Sequence, residues 1–391
     1  MSKFPLMKGN ITKDDLSSMI NFLNEDNVRL TQGEKVKSFE TLWSKWLGVK
    51  HSIFVNSGAS SNLISISLLK YYYPNGGEVI VPPFTWSSDI ISIIRNGFTP
   101  VFVDISLNNL ALNPDLLTDQ ITNKTRCVFL THAQGYNGLN NKILELIKKY
   151  DIWLIEDVCE SHGATFQNKK LGSYGHVSNF SFYYAHHLST IEGGMICTND
   201  DEYNDLLRAF RSHGLVREMI NTDTKTKWHN ENNDLSPEFI FAVPGFNMRS
   251  TEINAVLGIN QLSRIDKNIE LRNKNNIQFL SGLNSNVYHT NFDLDGQSNY
   301  AFNLVFLDKD VERRNLLESK LRSANIEFRR GSVGGGNQIR QPYVKNVFKD
   351  LMPENFPICD HIHFYGYYIG NYPELDSKSI DYILDVIHDF K

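Results

Sequence analysis

Short apolar runs recur at positions 52–55, 78–81, 101–105, 127–131 and 153–155, each of strand rather than helix length. Between them, apolar residues take helical spacing at 62–72, 87–95 and 140–150. This strand–helix alternation predicts an α/β sheet of parallel strands joined by right-handed crossovers. Two more strand-like runs, 177–183 and 195–198, precede a long helical stretch at 201–213, and the pattern closes a first domain over residues 1–250. A second pattern follows: an amphipathic stretch at 251–268, an apolar-alternating run at 300–307, and helices at 311–324 and 377–390. It predicts a smaller α/β domain over 251–391. The polar stretch 221–236, with Trp228 its one aromatic residue, reads as a mobile loop near whatever the domains enclose.

Composition narrows the function classes. With 391 residues and 41% hydrophobic content the chain can bury a core in each of two domains. Lys and Arg total 39 against 44 Asp and Glu, a net charge of −5, so no basic excess exists to neutralise a nucleic-acid backbone. Apolar stretches such as 90–94 fall far below the roughly 20 residues a bilayer span needs, and the opening MSKFPLMKGN has no apolar signal region. The expectation is a cytoplasmic chain with no membrane partner. Cys127, Cys159, Cys197 and Cys359 stand far apart, with no C-x-C or C-x-x-C pair, and read as free thiols; neither a metal nor an iron–sulfur cluster is expected.

Three segments carry candidate chemistry. Asn56-Ser57-Gly58-Ala59-Ser60 follows a predicted strand and opens a helix, where free N–H groups bind phosphate or a side chain merely caps. The run Leu154-Ile155-Glu156-Asp157 brings a strand to its end on a carboxylate, followed by Glu160 and His162. Ligands of α/β sheets collect at such ends, so Asp157 faces a site or caps the next segment. The third segment holds Ser181, His186, His187 and Glu192-Gly193-Gly194; adjacent histidines suit a metal, a catalytic imidazole or a packed core, and spacing does not choose among them.

Taken in order, these segments resemble the sugar aminotransferase family DegT/DnrJ/EryC1/StrS. The matching pieces are Leu30-Thr31-Gln32-Gly33, Asn56 to Ala59, the run Ile80-Val81-Pro82-Pro83-Phe84-Thr85-Trp86, residues 155–164, Glu192-Gly193-Gly194 and Gly245-Phe246-Asn247-Met248-Arg249. The resemblance implies the fold-type I pyridoxal-phosphate architecture, aspartate aminotransferase-like: a large, mixed, mostly parallel sheet domain plus a smaller C-terminal α/β domain. It implies that Gly58, Ala59, Ser60 and Ser181 hold the cofactor phosphate and that Asn247 reaches it from a partner subunit. Trp86 would stack on the pyridine ring and Asp157 would pair with its nitrogen.

One departure sets the expected subclass. Seven residues before Gly193, where aminotransferases of this family carry the lysine that binds the cofactor covalently, stands His186. Imidazole cannot form that link but can shuttle protons. The histidine, together with Glu160 where many aminotransferases have glutamine, resembles the family's dehydratase branch. That branch implies C3 dehydration of a nucleotide-linked 4-keto-6-deoxy sugar, GDP-linked in preference. Pyridoxal or pyridoxamine phosphate would be held non-covalently, L-glutamate would supply the amine, and ammonia would leave. A homodimer with shared sites is implied as well. Substrate contacts are expected from His213, Arg217 and Arg329. Arg330 and the run Gly334-Gly335-Gly336-Asn337 offer forks and backbone amides for a diphosphate. An aminotransferase that tolerates histidine, a cofactor-binding protein without catalysis, and a dehydrase fed by an external iron–sulfur partner are the other readings.

Overall fold

The computed structural model describes residues 3–388. Seven strands form the main sheet: His51–Val55 (β1), Glu78–Val81 (β2), Thr99–Phe102 (β3), Thr125–Thr131 (β4), Trp153–Asp157 (β5), Val177–Ser181 (β6) and Gly194–Thr198 (β7). Their order is β1-β7-β6-β5-β4-β2-β3. The neighbours from β6 to β3 pair in parallel, while β7 runs antiparallel to both β1 and β6. The sheet is therefore mixed and mostly parallel. Strands β5, β6 and β7 are buried along their whole length, as expected of a sheet covered on both faces.

The helix after β1, Gly58–Tyr72, packs on β6 and β7 and buries nine residues, among them Ser61, Ser65 and Ser67, small side chains that let helix and sheet approach. A second, antiparallel sheet orders Ala301–Val305 (β8), Phe328–Arg330 (β9) and Gly366–Gly370 (β10) as β8-β10-β9. The helices Ile265–Gly282, Val311–Ser323 and Ser377–His388 pack beside it. The chain start joins this sheet's surroundings, with Phe4 bridging Ile326.

Several elements differ from the sequence pattern. The expected mobile loop at 221–236 contains a helix, Thr222–Glu231, because Asn221 caps it by accepting the N–H groups of Asp223 and Thr224, and Trp228 packs half-buried against the core. The amphipathic stretch at 251–268 divides into Glu252–Leu262 and the start of Ile265–Gly282. Of the expected terminal helix at 377–390, residues 389 and 390 lie outside the described residues. Two helices near the chain start, Lys13–Leu23 and Glu34–Leu47, were not legible as a pattern; Thr12 and Asp15 form a capping box on the first. The second starts on Glu252, whose carboxylate accepts the N–H groups of Gly33, Lys35 and Val36 at 2.8 to 2.9 Å. A Cβ on Gly33 would approach that carboxylate to 3.0 Å.

Candidate active site

The carboxyl ends of β4, β5 and β6, the start of the helix Gly58–Tyr72 and the loop after β9 enclose a cavity of about 590 Å³. One end is lined by Ser57, Gly58 and Ala59 together with Ser181. Ser57 caps the helix by accepting the Ser60 N–H at 3.1 Å, while the Ser60 hydroxyl donates to Asn56 Oδ1 at 2.6 Å. Gly58 and Ala59, in the first turn, have no intrahelical acceptor for their N–H groups. A Cβ on Gly58 would stand 2.6 Å from the Cβ of Ser181, so glycine is what lets the helix start meet the end of β6. The result is a cradle of amides and hydroxyls with a helix dipole behind it, suited to a phosphate.

Beyond the cradle lies the strand-end carboxylate. Asp157 is 4% exposed; its Oδ1 accepts the Cys159 N–H at 2.8 Å and its Oδ2 the amide of Asn62 at 3.2 Å. Trp86 lines the same cavity from the start of the helix Ser87–Arg95 and is 58% exposed, a flat face free for a ring.

His186 lines the cavity on a turn after β6, where its N–H donates to the Tyr183 carbonyl at 3.0 Å. The side chain of Asn10 fixes this turn by donating to the carbonyls of Tyr184 at 2.6 Å and His186 at 2.9 Å. The imidazole lies beside Tyr300, ring centroids 5.7 Å apart, and its Nδ1 makes no hydrogen bond among the described residues. Burial and the Arg272 guanidinium pull His186 down to about 3, leaving it neutral and a weaker base than an imidazole in water. Its neighbour His187 turns the other way and donates from Nε2 to the Ser298 carbonyl at 2.6 Å, a packing contact. Glu160 also lines the cavity and accepts the backbone and side-chain N–H groups of Gln134 at 2.9 and 3.2 Å. Burial, helped by the Asp157 charge, pushes its carboxyl up to about 7, so it exchanges a proton near neutrality.

The rim is formed by Arg329, Arg330 and the glycine loop that follows β9. Arg329 donates to Glu327 at 3.0 Å and Arg330 to Glu318 at 3.1 Å. His213, Arg217 and Asn247 do not line the cavity; all three are exposed. His213 adopts a left-handed φ of 62°, Arg217 lies over the Phe239 ring and near Glu238, and Asn247 accepts from Arg249. Of the residues the sequence singled out, the cavity thus gathers Gly58, Ala59, Trp86, Asp157, Glu160, Ser181, His186 and Arg329, with Ser60 in the turn behind.

Sequence reasoning missed Asn62, Asp89, Tyr300 and Arg272. Asn62 and Asp89 sit on helices whose pattern was read for packing alone. Arg272 is 1% exposed and donates to the Tyr300 carbonyl at 2.8 Å, a burial no composition rule signals. Among the described residues no group of three or more His, Cys, Asp or Glu is arranged to hold a metal, and no helix is long and apolar enough to cross a membrane.

A model of the DegT/DnrJ/EryC1/StrS aminotransferase family matches residues 10–388. The GDP-4-keto-6-deoxy-D-mannose 3-dehydratase of Escherichia coli O55:H7 is 32% identical over 393 residues, 99% of this chain and 100% of that protein. Its namesake from Yersinia pseudotuberculosis is 30% identical over 394 residues, covering 99% and 98%. The solved E. coli GDP-4-keto-6-deoxy-D-mannose-3-dehydratase with bound hydrated pyridoxal phosphate superposes with a TM-score of 0.90 at 30% identity, covering 99% of this chain and 100% of that one. A structure of GDP-4-keto-6-deoxymannose-3-dehydratase with bound GDP-perosamine gives 0.91 at 29% identity, covering 98% and 100%.

Proposed function

Because the chain belongs to the DegT/DnrJ/EryC1/StrS aminotransferase family, we propose that it removes the C3 hydroxyl of a nucleotide-linked 4-keto-6-deoxy sugar, GDP-4-keto-6-deoxy-mannose first, with pyridoxal phosphate as cofactor. One observation carries this reading: no lysine is among the residues lining the cavity, and His186 is. The family's amino transfer uses a lysine there, and imidazole cannot replace it as a covalent anchor.

The residues present fit the cofactor. Gly58 brings free amides against Ser181 at a spacing that leaves no room for a Cβ, which suits a phosphate. Trp86 offers a ring face and Asp157 an anionic oxygen for a protonated pyridine nitrogen. Bound as its amine form after reaction with L-glutamate, the cofactor supplies a primary amine that condenses with the C4 ketone and a ring that takes up electrons as the C3 hydroxyl leaves.

His186, neutral at physiological pH, removes the proton from the cofactor's methylene carbon and returns one to the departing hydroxyl, which leaves as water. Asp157 keeps the ring nitrogen protonated. Glu160 is a second proton carrier in the same cavity. Arg329, Arg330 and the loop Gly334-Gly335-Gly336 meet the diphosphate of the nucleotide. Water then completes the balance, releasing ammonia and a 3-deoxy-4-keto sugar.

A homodimer completes the site in this reading. Phe239 and Phe241 are exposed a few residues before Asn247 and beside Arg217, whose guanidinium lies over the Phe239 ring, and Ile191 and Tyr183 are exposed beside the cavity. A second copy covering these apolar side chains would bring Asn247 to the phosphate cradle and His213 and Arg217 to the sugar nucleotide.

The test is incubation of the full chain with pyridoxal phosphate, L-glutamate and GDP-4-keto-6-deoxy-mannose. Ammonia and a 3-deoxy product are expected; a stable amino sugar, or no turnover on this and other 4-keto sugar nucleotides, overturns the reading.

A further inference from the structure

Behind Asn62, which lines the cavity, lies a further carboxyl group for which the reaction above has no task. Asp89 lies in the first turn of the helix Ser87–Arg95 with no solvent exposure. Its Oδ1 accepts from Asn62 Nδ2 at 2.6 Å; its Oδ2 accepts the Thr131 hydroxyl at 3.1 Å and the Thr85 hydroxyl. The same Asn62 nitrogen donates to Asp157 Oδ2. One amide nitrogen therefore bridges two buried carboxyl groups, and among the described residues no lysine, arginine or histidine side chain hydrogen-bonds to either. The other titratable groups that face the pair are Cys159, Glu160 and Tyr343, and none of them can bring a positive charge.

Two carboxylates facing each other in a dry site do not both ionise; one keeps its proton. Besides the Asn62 amide that both accept from, Asp157 has the Cys159 N–H, a second pure donor that favours a charged carboxylate, whereas Asp89 has only hydroxyls, which donate or accept equally well. Burial and the facing Asp157 push Asp89 well above the usual carboxylate range.

We propose that Asp89 is a positioning residue that stays protonated and donates its hydrogen bond to Asp157, so that the pair presents a single negative charge to the cofactor's ring nitrogen. The inference rests on reading Asp157 as that nitrogen's partner. A carboxylate that already accepts a strong hydrogen bond is a weaker base. The proton between Asp157 and the pyridine therefore remains on the nitrogen, where it is needed for electron withdrawal. Asn62 holds both carboxyl groups at fixed separation.

Infrared difference spectra of the cofactor-free full chain at neutral pH, recorded with and without Asp89→Asn and both in a Glu160→Gln background so that the Glu160 carboxyl does not contribute, should show the carbonyl stretch of a buried protonated carboxyl group that Asp89→Asn removes. The lack of such a band in the difference between the two proteins overturns the proposal. Asparagine can still donate to Asp157, so Asp89→Asn should bind pyridoxal phosphate about as tightly as the unaltered protein. Asp89→Ala should bind about 10-fold more weakly, the scale of one charge-assisted hydrogen bond. Equal losses in the two variants would mean that a charged Asp89 is required, and would overturn it too. If Asp89→Ala does not fold, the infrared comparison on the isosteric variant decides alone. Unaltered cofactor affinity in Asp157→Ala would instead defeat the reading of Asp157 and leave the infrared result on Asp89 standing.

Discussion

At the floor of the cavity the carboxyl groups and the catalytic turn are held by their own chain: Asp157 and Asp89 share Asn62, Glu160 is fixed by Gln134, and the turn carrying His186 is clasped by Asn10. At the rim and on the exposed face beyond it side chains stand open to solvent: Trp86 is 58% exposed, and Arg217 and Asn247 lie on an exposed face away from the cavity. Buried carboxyl groups must find donors internally or they cost the fold dearly, so this part of the floor is built by one chain. Exposed groups carry no such penalty and wait for what binds. On the proposed reading the division separates two kinds of specificity: reaction type in the floor, sugar and nucleotide in the rim and in a second copy.

The contrast can be broken at the floor first. His186→Asn should lower the dehydration kcat by about 10³-fold, within the range of general acid–base catalysis, while pyridoxal phosphate still binds. Steady-state kinetics beside a cofactor titration would show the split. His186→Lys should create a borohydride-reducible link to the cofactor and suppress dehydration. Asp157→Ala should weaken cofactor binding by about 100-fold, since a buried charged partner is lost, as equilibrium dialysis would measure.

At the rim the effects should be smaller and of another kind. Arg217→Ala is expected to raise KM for the sugar nucleotide about 10-fold with kcat and melting temperature unchanged, the pattern of a lost phosphate or sugar contact. A change in kcat alone would move Arg217 to the floor's side of the comparison.

The mildest test is acid. His162, His186 and His187 are held below the ordinary imidazole value of 6.5, chiefly by burial. Their folded values lie under the unfolded one, so below that value the unfolded chain binds more protons. The stability these neutral rings contribute is present above 6.5 and lost as pH falls. Melting temperature should drop by several degrees by about pH 5. A melting temperature constant over that range would mean that the three rings gain charge without cost.

Legibility followed physical range. The helix-start half of the cradle was visible because it needs only consecutive residues, Asn56 to Ser60, after a strand; Ser181 joins it from β6. Asp157 was visible because a strand that ends on a carboxylate is a local event. The helix Thr222–Glu231 was missed because one cap and one half-buried Trp228 outweighed a polar composition. Asp89 was missed for a different reason. On its own helix it is an ordinary first-turn acid; its meaning comes from Asn62 and Asp157, 27 positions from the one and 68 from the other, which the crossovers bring together.

By itself the sequence determined the alternation of strands and helices, the family, the cradle, the strand-end Asp157 and the replacement of a lysine by His186, all carried by residue identity at fixed local spacing. Only the tertiary structure decided that β7 runs against its neighbours, that Arg272 lies buried behind His186, that His187 turns to Ser298 and that two carboxyl groups share one amide. Those features depend on contacts between segments far apart in the chain, where desolvation sets the charge of each group, and local spacing carries no record of desolvation.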